Sequence, residues 1–527
     1  MKMYDIIFAK SFSRREQKKL RYGAFLFCLL IVLSLCTVFK PYLGPIHVLS
    51  LRLSLVVDTK MFMVNDTSSS QHTAKVENVL AKIVDDTKSS PQMNDAERVL
   101  PEILFNDTRS SQQIAKDEEN VTKNILTNDT RSSPQKAEVE EIETKKVDPM
   151  CTSEERTDFC QARGDIRIHG KSSSVYIVSP ETSLLAENIS WRIRPYARKD
   201  DAYAMIQVRE WSLKQVKVSQ KVPECTKNHS IPTVLFSTGG YIGNHFHEFT
   251  DVLIPLFLTS RHFNGEVQFI ITDKRPWWIS KYQPVLNKLS NYDIIDIDRD
   301  DEVHCFPSVS VGLKRYRKEL SIDPEKYSYS MKDFRDFLRS SYSLKRVQAI
   351  KIRDDQPKKP RLLIISRQRS RSFTNMAQIA KMAKRLGFIV IIKEGGGSMS
   401  SFADAVNSCD VLMGVHGAGL TNILFLPENA VFVQVLPYGS VEWLAKNDFA
   451  EPSKDMNLKY LEYKIRLEES TLIQQYPLDH IILKDPPSIG KIGWETFKTV
   501  YFDKQNVRLD VKRFKPTLLK ALELLHQ

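Results

Sequence analysis

The chain has 527 residues, with 76 Lys and Arg against 64 Asp and Glu, for a formal net charge of +12. Seven basic residues (Lys2, Lys10, Arg14, Arg15, Lys18, Lys19, Arg21) against Asp5 and Glu16 put +5 of this at the amino terminus, leaving +7 spread over everything downstream. That remainder is too diffuse for a nucleic-acid binder and suits anionic sugar nucleotides or acidic polysaccharides as partners.

Leu20 to Phe39 carries no charge after Arg21 and has the length of a membrane span. No small-residue cleavage pattern follows it, where Lys40-Pro41-Tyr42 stands, so it is predicted to be an uncleaved signal anchor rather than a signal peptide. The basic tail, residues 1–19, then stays in the cytosol and the rest enters the lumen. All six Asn-x-Ser/Thr sequons, at Asn65, Asn106, Asn120, Asn128, Asn188 and Asn228, fall on the lumenal side.

Residues 40–149 read as a stalk. Asn65-Asp-Thr-Ser-Ser-Ser-Gln recurs in variant form at Asp86, Asn106 and Asn128, every 20 to 22 residues. Each unit has too few large apolar residues to stack into a solenoid, which makes a disordered, glycosylated spacer the expectation. Cys151 and Cys160 bracket a short polar loop just beyond it and are predicted to pair in the oxidising lumen.

The 378 residues from Met150 suit two domains around two cores, 150–350 and 362–527. Between them, 351–361 is polar, proline-bearing and without periodicity, as a linker would be. In the first domain Val234-Leu-Phe-Ser-Thr reads as a strand, Gly239-Gly-Tyr-Ile-Gly243 as a turn, and Asn244 to Phe257 as a helix. Asn244, His247, Glu248 and Asp251 recur at i, i+3, i+4 and i+7 and should project from one face. Because Val252-Leu-Ile-Pro-Leu-Phe-Leu continues almost wholly apolar, that face is expected to meet a cleft, where a general base is placed. Asp296-Ile-Asp298 and Asp298-Arg-Asp300 offer a competing reading, since acid pairs after a strand can hold a divalent cation. They lie outside the half that carries the nucleotide signals described next.

In the second domain buried strands are predicted at Leu362–Ser366, Phe388–Ile392, Cys409–Met413 and Val431–Leu436, with helices from Asn375 to Gly387, from about Ser401, and beyond Gly419. Strands apolar on both faces and alternating with helices predict a parallel sheet, which binds ligands off its carboxyl edge. Two motifs fall there. The loop Ser366-Arg-Gln-Arg-Ser-Arg371 supplies guanidiniums, and Val411-Leu-Met-Gly-Val-His-Gly-Ala-Gly-Leu-Thr-Asn422 runs a strand into a glycine turn that opens a helix. Such a turn presents backbone N–H groups to a diphosphate. The Gly-x-Gly-x-x-Gly dinucleotide fingerprint is absent, and no acidic residue is expected to close the second strand, which argues against an oxidoreductase.

Seven cysteines place Cys28 and Cys36 in the anchor and an odd five in the lumen, so at least one lumenal thiol lacks an intramolecular partner; Cys409, opening a buried strand, is the choice. No Cys/His spacing resembles a zinc site, and no metal site is predicted.

Ser-Arg-x-x-x-Arg at Ser366–Arg371, the His416-Gly-Ala-Gly-Leu turn, Phe425-Leu-Pro and Asn244-x-x-His-Glu-Phe-Thr-Asp251 together resemble the family 61 glycosyltransferases, specifically the plant clade that decorates xylan. Gly164-Asp-Ile-Arg-Ile-His169 and Phe263-Asn-Gly-Glu-Val-Gln-Phe269 resemble it as well, so the likeness runs from about Cys151 to Gln527 and leaves out the stalk. The resemblance implies an α/β fold of two Rossmann-like domains facing a cleft (GT-B type) and an inverting, Golgi-resident type II membrane enzyme with no required metal or cofactor. It implies a UDP-arabinofuranose or UDP-xylose donor and a xylan acceptor, with arabinosyl transfer favoured, and it leaves room for a complex with other Golgi transferases. Carried onto this chain, it places the diphosphate on Arg367 and Arg371, with Ser366, His416, Gly417, Gly419 and Asn422 around the donor. His247, then Asp251 or Glu248, is the base, and Asn244 shares the acceptor-side helix. Members of the family often carry Glu where this chain has Gln434, so no ribose contact is assigned there. A silent glycan-binding subunit is the alternative of another class.

Overall fold

A computed structural model describes residues 150–180, 190–315, 319–353, 355, 358–395 and 397–527. The basic tail, the anchor, the stalk and the sequons at Asn65, Asn106, Asn120, Asn128 and Asn188 lie outside these residues. Among the described residues no helix is long and apolar enough to cross a membrane.

Two sheets organise the described chain. The first contains β1 (Cys151–Ser153), β2 (Asp158–His169), β3 (Ser174–Ser179), β4 (Ser190–Ile193), β5 (Trp211–Lys217), β6 (Lys227–Asn228), β7 (Thr233–Ser237), β8 (Gln268–Thr272), β9 (Ile295–Asp296) and β10 (Val303–Val311). Its order is β4-β5-β3-β2-β10-β7-β8-β9, with β1 on β2 and β6 on β10. The strands β10, β7, β8 and β9 run parallel, and β7 and β8 are buried at every residue because both of their faces are covered. β2 joins this parallel half antiparallel and carries it through the largely buried β3 to the more solvated β5 and β4. The exposed Asn228 stands on β6, and Cys151–Cys160 and Cys225–Cys305 are disulfide-bonded, leaving Cys409 a buried free thiol.

The second sheet holds β11 (Arg361–Ser366), β12 (Ile389–Glu394), β13 (Val411–Val415), β14 (Val431–Leu436) and β15 (Lys459–Lys464) in the order β12-β11-β13-β14-β15, all parallel. Four details differ from the sequence reading. β12, expected to be buried, is an edge strand with Ile389 and Ile392 exposed, because no strand lies beyond it. β15 was not foreseen, because Lys-Tyr-Leu-Glu-Tyr-Lys alternates with charge at a sheet edge and lacks the apolar run of its neighbours. The third strand starts at Val411, two residues later than expected. β12 continues to Glu394, so an acidic residue does close the second strand; its carboxylate accepts from Gln368 Nε2 at 2.5 Å, tying it to the arginine loop.

Strand order reverses between β11 and β13, the crevice where such sheets take ligands. The arginine loop leaves β11 there and the glycine turn leaves β13 there.

Packing does not divide at 351–361. One apolar cluster runs from Phe236, Phe249 and Phe257 of the first lobe into Leu363, Leu412, Phe425 and Phe432 of the second, beside a core private to each lobe. Phe249 meets Phe425 and Phe246 meets Phe449 edge to face, with centroids at 6.2 and 5.6 Å. Arg335, on the helix Met331–Ser341, buries its guanidinium and donates to the Leu424 carbonyl at 3.3 Å and to those of Met456 and Leu426.

Candidate active site

β7 delivers the chain into the turn 239–243, where Gly240 has φ +55° and an added Cβ would lie 2.5 Å from the Tyr196 ring. The helix that follows opens at His245, with Asn244 as N-cap: its Oδ1 accepts from the Phe246 N–H at 3.0 Å, and the residue is otherwise exposed. From Glu248 to Leu253 the helix widens into a π turn, then returns to α form from Ile254 to Ser260. A π turn rotates the residues that follow it, a distortion found often at functional sites.

The four helix residues therefore do not share one environment. His247 Nδ1 lies 3.0 Å from Asp251 Oδ2. Asp251 is fully buried and is also met at Oδ2 by Tyr196 Oη (2.9 Å) and Arg198 Nε (2.8 Å), and at Oδ1 by the Thr250 hydroxyl (2.8 Å). Burial pushes its pKa up, but the Arg198 charge and the His247 contact outweigh it and hold the carboxyl well below the usual range. A carboxylate so committed accepts Nδ1–H and orients the ring, leaving Nε2 of His247 as the basic atom. His247 keeps part of its surface in solvent, and Nε2 has no partner among the described residues.

Glu248 faces elsewhere. It is fully buried, accepts from Tyr282 Oη and Lys281 Nζ at 2.5 Å, and meets His245 Nδ1 at 3.3 Å. Burial raises its pKa, yet His245 and Lys281 bring it down to about 2. Bonded in this way it serves as an internal ion pair and is not free to take a substrate proton. His245 in turn faces Asn422 of the second lobe. Asn422 is buried and gives Nδ2 to the Gly419 carbonyl at 2.8 Å, so its amide braces the glycine turn against the helix.

At the other lobe, Gly417 has φ +147°, and a Cβ built there would lie 2.5 Å from a terminal nitrogen of Arg371 and 2.9 Å from one of Arg367. A hydrogen is what allows both guanidiniums to press on the turn. Gly419 carries no such demand, since its Cβ would meet only Ile365 at 3.8 Å. Arg371 adopts φ +54°, a left-handed conformation that is costly for a residue with a side chain, and its N–H is fixed on the Gln505 carbonyl at 2.6 Å. Its guanidinium donates to the His416 carbonyl at 3.1 Å and lies 4.7 Å over the Phe502 ring, while Arg367 Nε donates to the Ser370 carbonyl. Ser366 closes β11 at the base of this loop.

Neither arginine has a carboxylate within 4 Å among the described residues, and the two repel each other. Burial, then Arg367, lowers the Arg371 pKa to about 9, with Asp503 offsetting part of the shift. Two desolvated cations side by side at a strand-end crevice, offset only in part by the more distant Asp503, make a site for an anion.

His416 is buried between the arginines and the cleft. Gln434 Nε2 donates to its Nδ1 at 2.7 Å, and Gln434 Oε1 accepts from the Tyr460 hydroxyl at 2.8 Å. Gln434 is therefore occupied in fixing the imidazole with its proton on Nε2. Burial and the two arginine charges lower the His416 pKa to about 3, so the ring is a neutral donor.

Its Nε2 lies 4.0 Å from Asp448 Oδ2, a residue that sequence reasoning did not single out. The Asp448 carboxylate has no hydrogen-bond partner among the described residues. Burial pushes its pKa up to about 7, helped by Glu319 and partly opposed by Arg198, both of the first lobe. The neighbouring Phe449 packs at 5.6 Å on both His416 and Phe246, next to His247, which brings the glycine turn and His247 to one crevice. Tyr196 and Arg198 also escaped the sequence reading, because their partners are remote in sequence, and Gln434, singled out there only as a departure from the family, proves to orient His416.

The acid pairs do not converge. Asp298 accepts from Thr272 Oγ1, the Asp273 N–H and Arg209, Asp300 from the Glu302 N–H while facing His304, and Asp296 lies 3.8 Å from Lys274. Among the described residues one group has ligand-like spacing, Asp165 with Cys225 and Cys305, and its two sulfurs are joined in a disulfide.

The sequence model of the Glycosyltransferase 61 family matches residues 246–433, which contain the helix base, both arginines and the glycine turn. The chain is 49% identical over 384 residues to an α-1,3-arabinosyltransferase of Oryza sativa subsp. japonica, covering 72% of this chain and 66% of that protein. It is 42% identical over 388 residues to a β-1,2-xylosyltransferase of the same plant, covering 71% and 83%. A xylan glycosyltransferase of Arabidopsis thaliana is 38% identical over 383 residues, covering 69% and 77%. The match thus spans just under two-thirds of the length of the rice arabinosyltransferase and more of the other two. With the motif residues on one crevice and relatives of this identity and coverage, the chain belongs to glycosyltransferase family 61.

Proposed function

We propose that this protein is an inverting, UDP-sugar-dependent pentosyltransferase of the GT-B type that acts on the xylan backbone, anchored in the Golgi membrane with its catalytic part lumenal. The observation that carries it is the pair Arg367 and Arg371 on the Gly417 turn, with no carboxylate in contact, in the same crevice as the His247–Asp251 dyad. α-1,3-Arabinofuranosyl transfer is the favoured reaction, β-1,2-xylosyl transfer the second. Relatives named for each support a pentose donor and xylan acceptor.

In this reading Arg367, Arg371 and the backbone at Gly417 take the diphosphate, and His416 adds a neutral Nε2–H donor. His247 Nε2 removes the proton from an acceptor hydroxyl as that oxygen attacks the anomeric carbon and the bond to UDP breaks. Asp251 holds the ring and stabilises the imidazolium that forms. Glu248 and Asn244 are positioning residues, one an ion pair beneath the helix and the other its cap. The negative charge that develops on UDP meets fixed positive groups, so no metal is required for departure.

Radiolabelled UDP-arabinofuranose and UDP-xylose offered separately with xylo-oligosaccharides, in the presence of EDTA, test this. Transfer from one donor with inversion is expected. Transfer from neither, or transfer lost in EDTA and restored by manganese, overturns it.

A further inference from the structure

The helix Ala202–Met205 sits at the rim of the base site and exposes Tyr203 (65%) and, three residues on, Ile206 (72%). Single exposed apolar side chains are ordinary on a protein surface. These two are not single: residues three apart lie on one helix face, and Tyr203 stacks on Tyr241, with centroids at 6.5 Å and planes 26° apart. The Tyr241 ring in turn lies 4.6 Å from the His247 ring. Two aromatic rings therefore step from solvent at Tyr203 to Tyr241 beside His247.

The arrangement is also held by hydrogen bonds. Asp201 caps the helix through the Ala204 N–H at 3.0 Å, and the same carboxylate accepts from the Tyr241 hydroxyl at 2.9 and 3.1 Å. The Tyr241 N–H donates to Tyr196 Oη, which also bonds Asp251. One network thus fixes the Tyr241 ring beside His247 and the backbone of the helix that carries Tyr203, so a ligand landing there meets a largely preformed surface.

We propose that Tyr203, Ile206 and Tyr241 form a carbohydrate platform that takes a pyranose ring of a β-1,4-linked backbone, one or more residues away from the sugar whose hydroxyl His247 deprotonates. The proposal rests on the pentosyltransferase reading for the identity of its occupant. An enzyme that decorates the middle of a polysaccharide must hold chain on each side of the reacting residue. Aromatic faces, with the Tyr241 hydroxyl already bonded to Asp201, suit the C–H face of a neutral sugar better than they suit the diphosphate, which the arginines of the other lobe serve.

Two measurements separate the platform from the reading beneath it. Calorimetric titration with xylohexaose should show Tyr203→Ala binding roughly 3- to 10-fold more weakly than the unaltered protein, with Tyr203→Phe close to it, since the ring and not the hydroxyl makes the contact. With saturating donor, KM for xylohexaose should rise by the same factor in Tyr203→Ala while KM for xylobiose, kcat and UDP affinity stay unchanged. Equal xylohexaose binding by the unaltered and Tyr203→Ala proteins, or no binding by either, overturns the platform. A shift from dimer to monomer on sedimentation of Tyr203→Ala also overturns it, assigning the face to self-association. Tyr203-dependent binding with no transfer from any UDP-pentose supports the platform and overturns the transferase reading.

Discussion

His247 Nδ1 and Asp251 Oδ2 meet at 3.0 Å across a π turn, and the same carboxylate oxygen also receives Arg198 Nε and the Tyr196 hydroxyl. The pair divides two tasks that a sequence pattern cannot separate. His247→Gln should reduce turnover by about 10²- to 10⁴-fold with little loss of melting temperature. Asp251→Asn should reduce turnover and also destabilise the fold by about 1–3 kcal/mol, because it removes one of the two carboxylates on the buried Arg198 and leaves only Glu319, at 3.1 Å. Steady-state turnover beside thermal unfolding separates the two. Full turnover in the folded fraction of Asp251→Asn would remove the dyad from the mechanism.

Gly417 and Gly419 make a controlled comparison. Gly417→Ala drives a methyl into both guanidiniums at a backbone conformation that costs about 1–3 kcal/mol for a non-glycine residue. UDP affinity should fall at least roughly 10-fold, whereas Gly419→Ala should stay within roughly 2-fold. Calorimetry with UDP reads both, and equal losses would contradict the geometry.

Arg371 should trade stability for affinity. Removing a charge-assisted hydrogen bond costs about 1.5–3 kcal/mol, so Arg371→Met should weaken UDP binding by roughly 10- to 150-fold. Without nucleotide the same change relieves repulsion from Arg367 and burial of a cation, and the melting temperature should hold or rise. A lower melting temperature in the ligand-free variant would mean that the arginine is chiefly structural.

Asp448 predicts a pH signature. Its folded pKa of about 7 lies above the ordinary carboxyl value of 3.8. The native state therefore binds the proton more tightly than the unfolded state does. Its contribution to stability is complete below about 3.8 and is lost as pH rises through about 7. The melting temperature of Asp448→Asn relative to the unaltered protein should accordingly climb between pH 4 and 7 and then level. His416, with its folded pKa near 3, has the opposite sign: its contribution is complete above about 6.5 and lost as pH falls toward 3. A difference between the Asp448→Asn and unaltered melting temperatures that does not change over pH 4 to 7 would place Asp448 in contact with bulk water.

The second sheet was legible because β11, β13 and β14 carry apolar runs that are buried on both faces, and β12 begins with a run of the same kind although it lies at the exposed edge. β15 was not, since an edge strand needs apolar residues on one face only. The arginine loop and glycine turn could be read from their order along the chain, as strand order places both at one edge. The helix could be read as buried, but not the π turn that sends Glu248 toward Tyr282 and Asp251 toward Arg198. Asp448 left no periodic or motif signal; its character comes from His416, Glu319 and Arg198, which the fold alone brings near. Cys225–Cys305 spans 80 residues, and spacing alone could not select it.

The Arg335 side chain passes from the first lobe into a nest of second-lobe carbonyls, amid aromatic rings contributed by both. To swing the lobes apart would expose those rings and strip a buried cation of its three acceptors at once. Rigid-body separation of the two lobes is therefore costly, and the crevice between the arginine loop and His247 is held at a width that only local rearrangement of its lining segments can change.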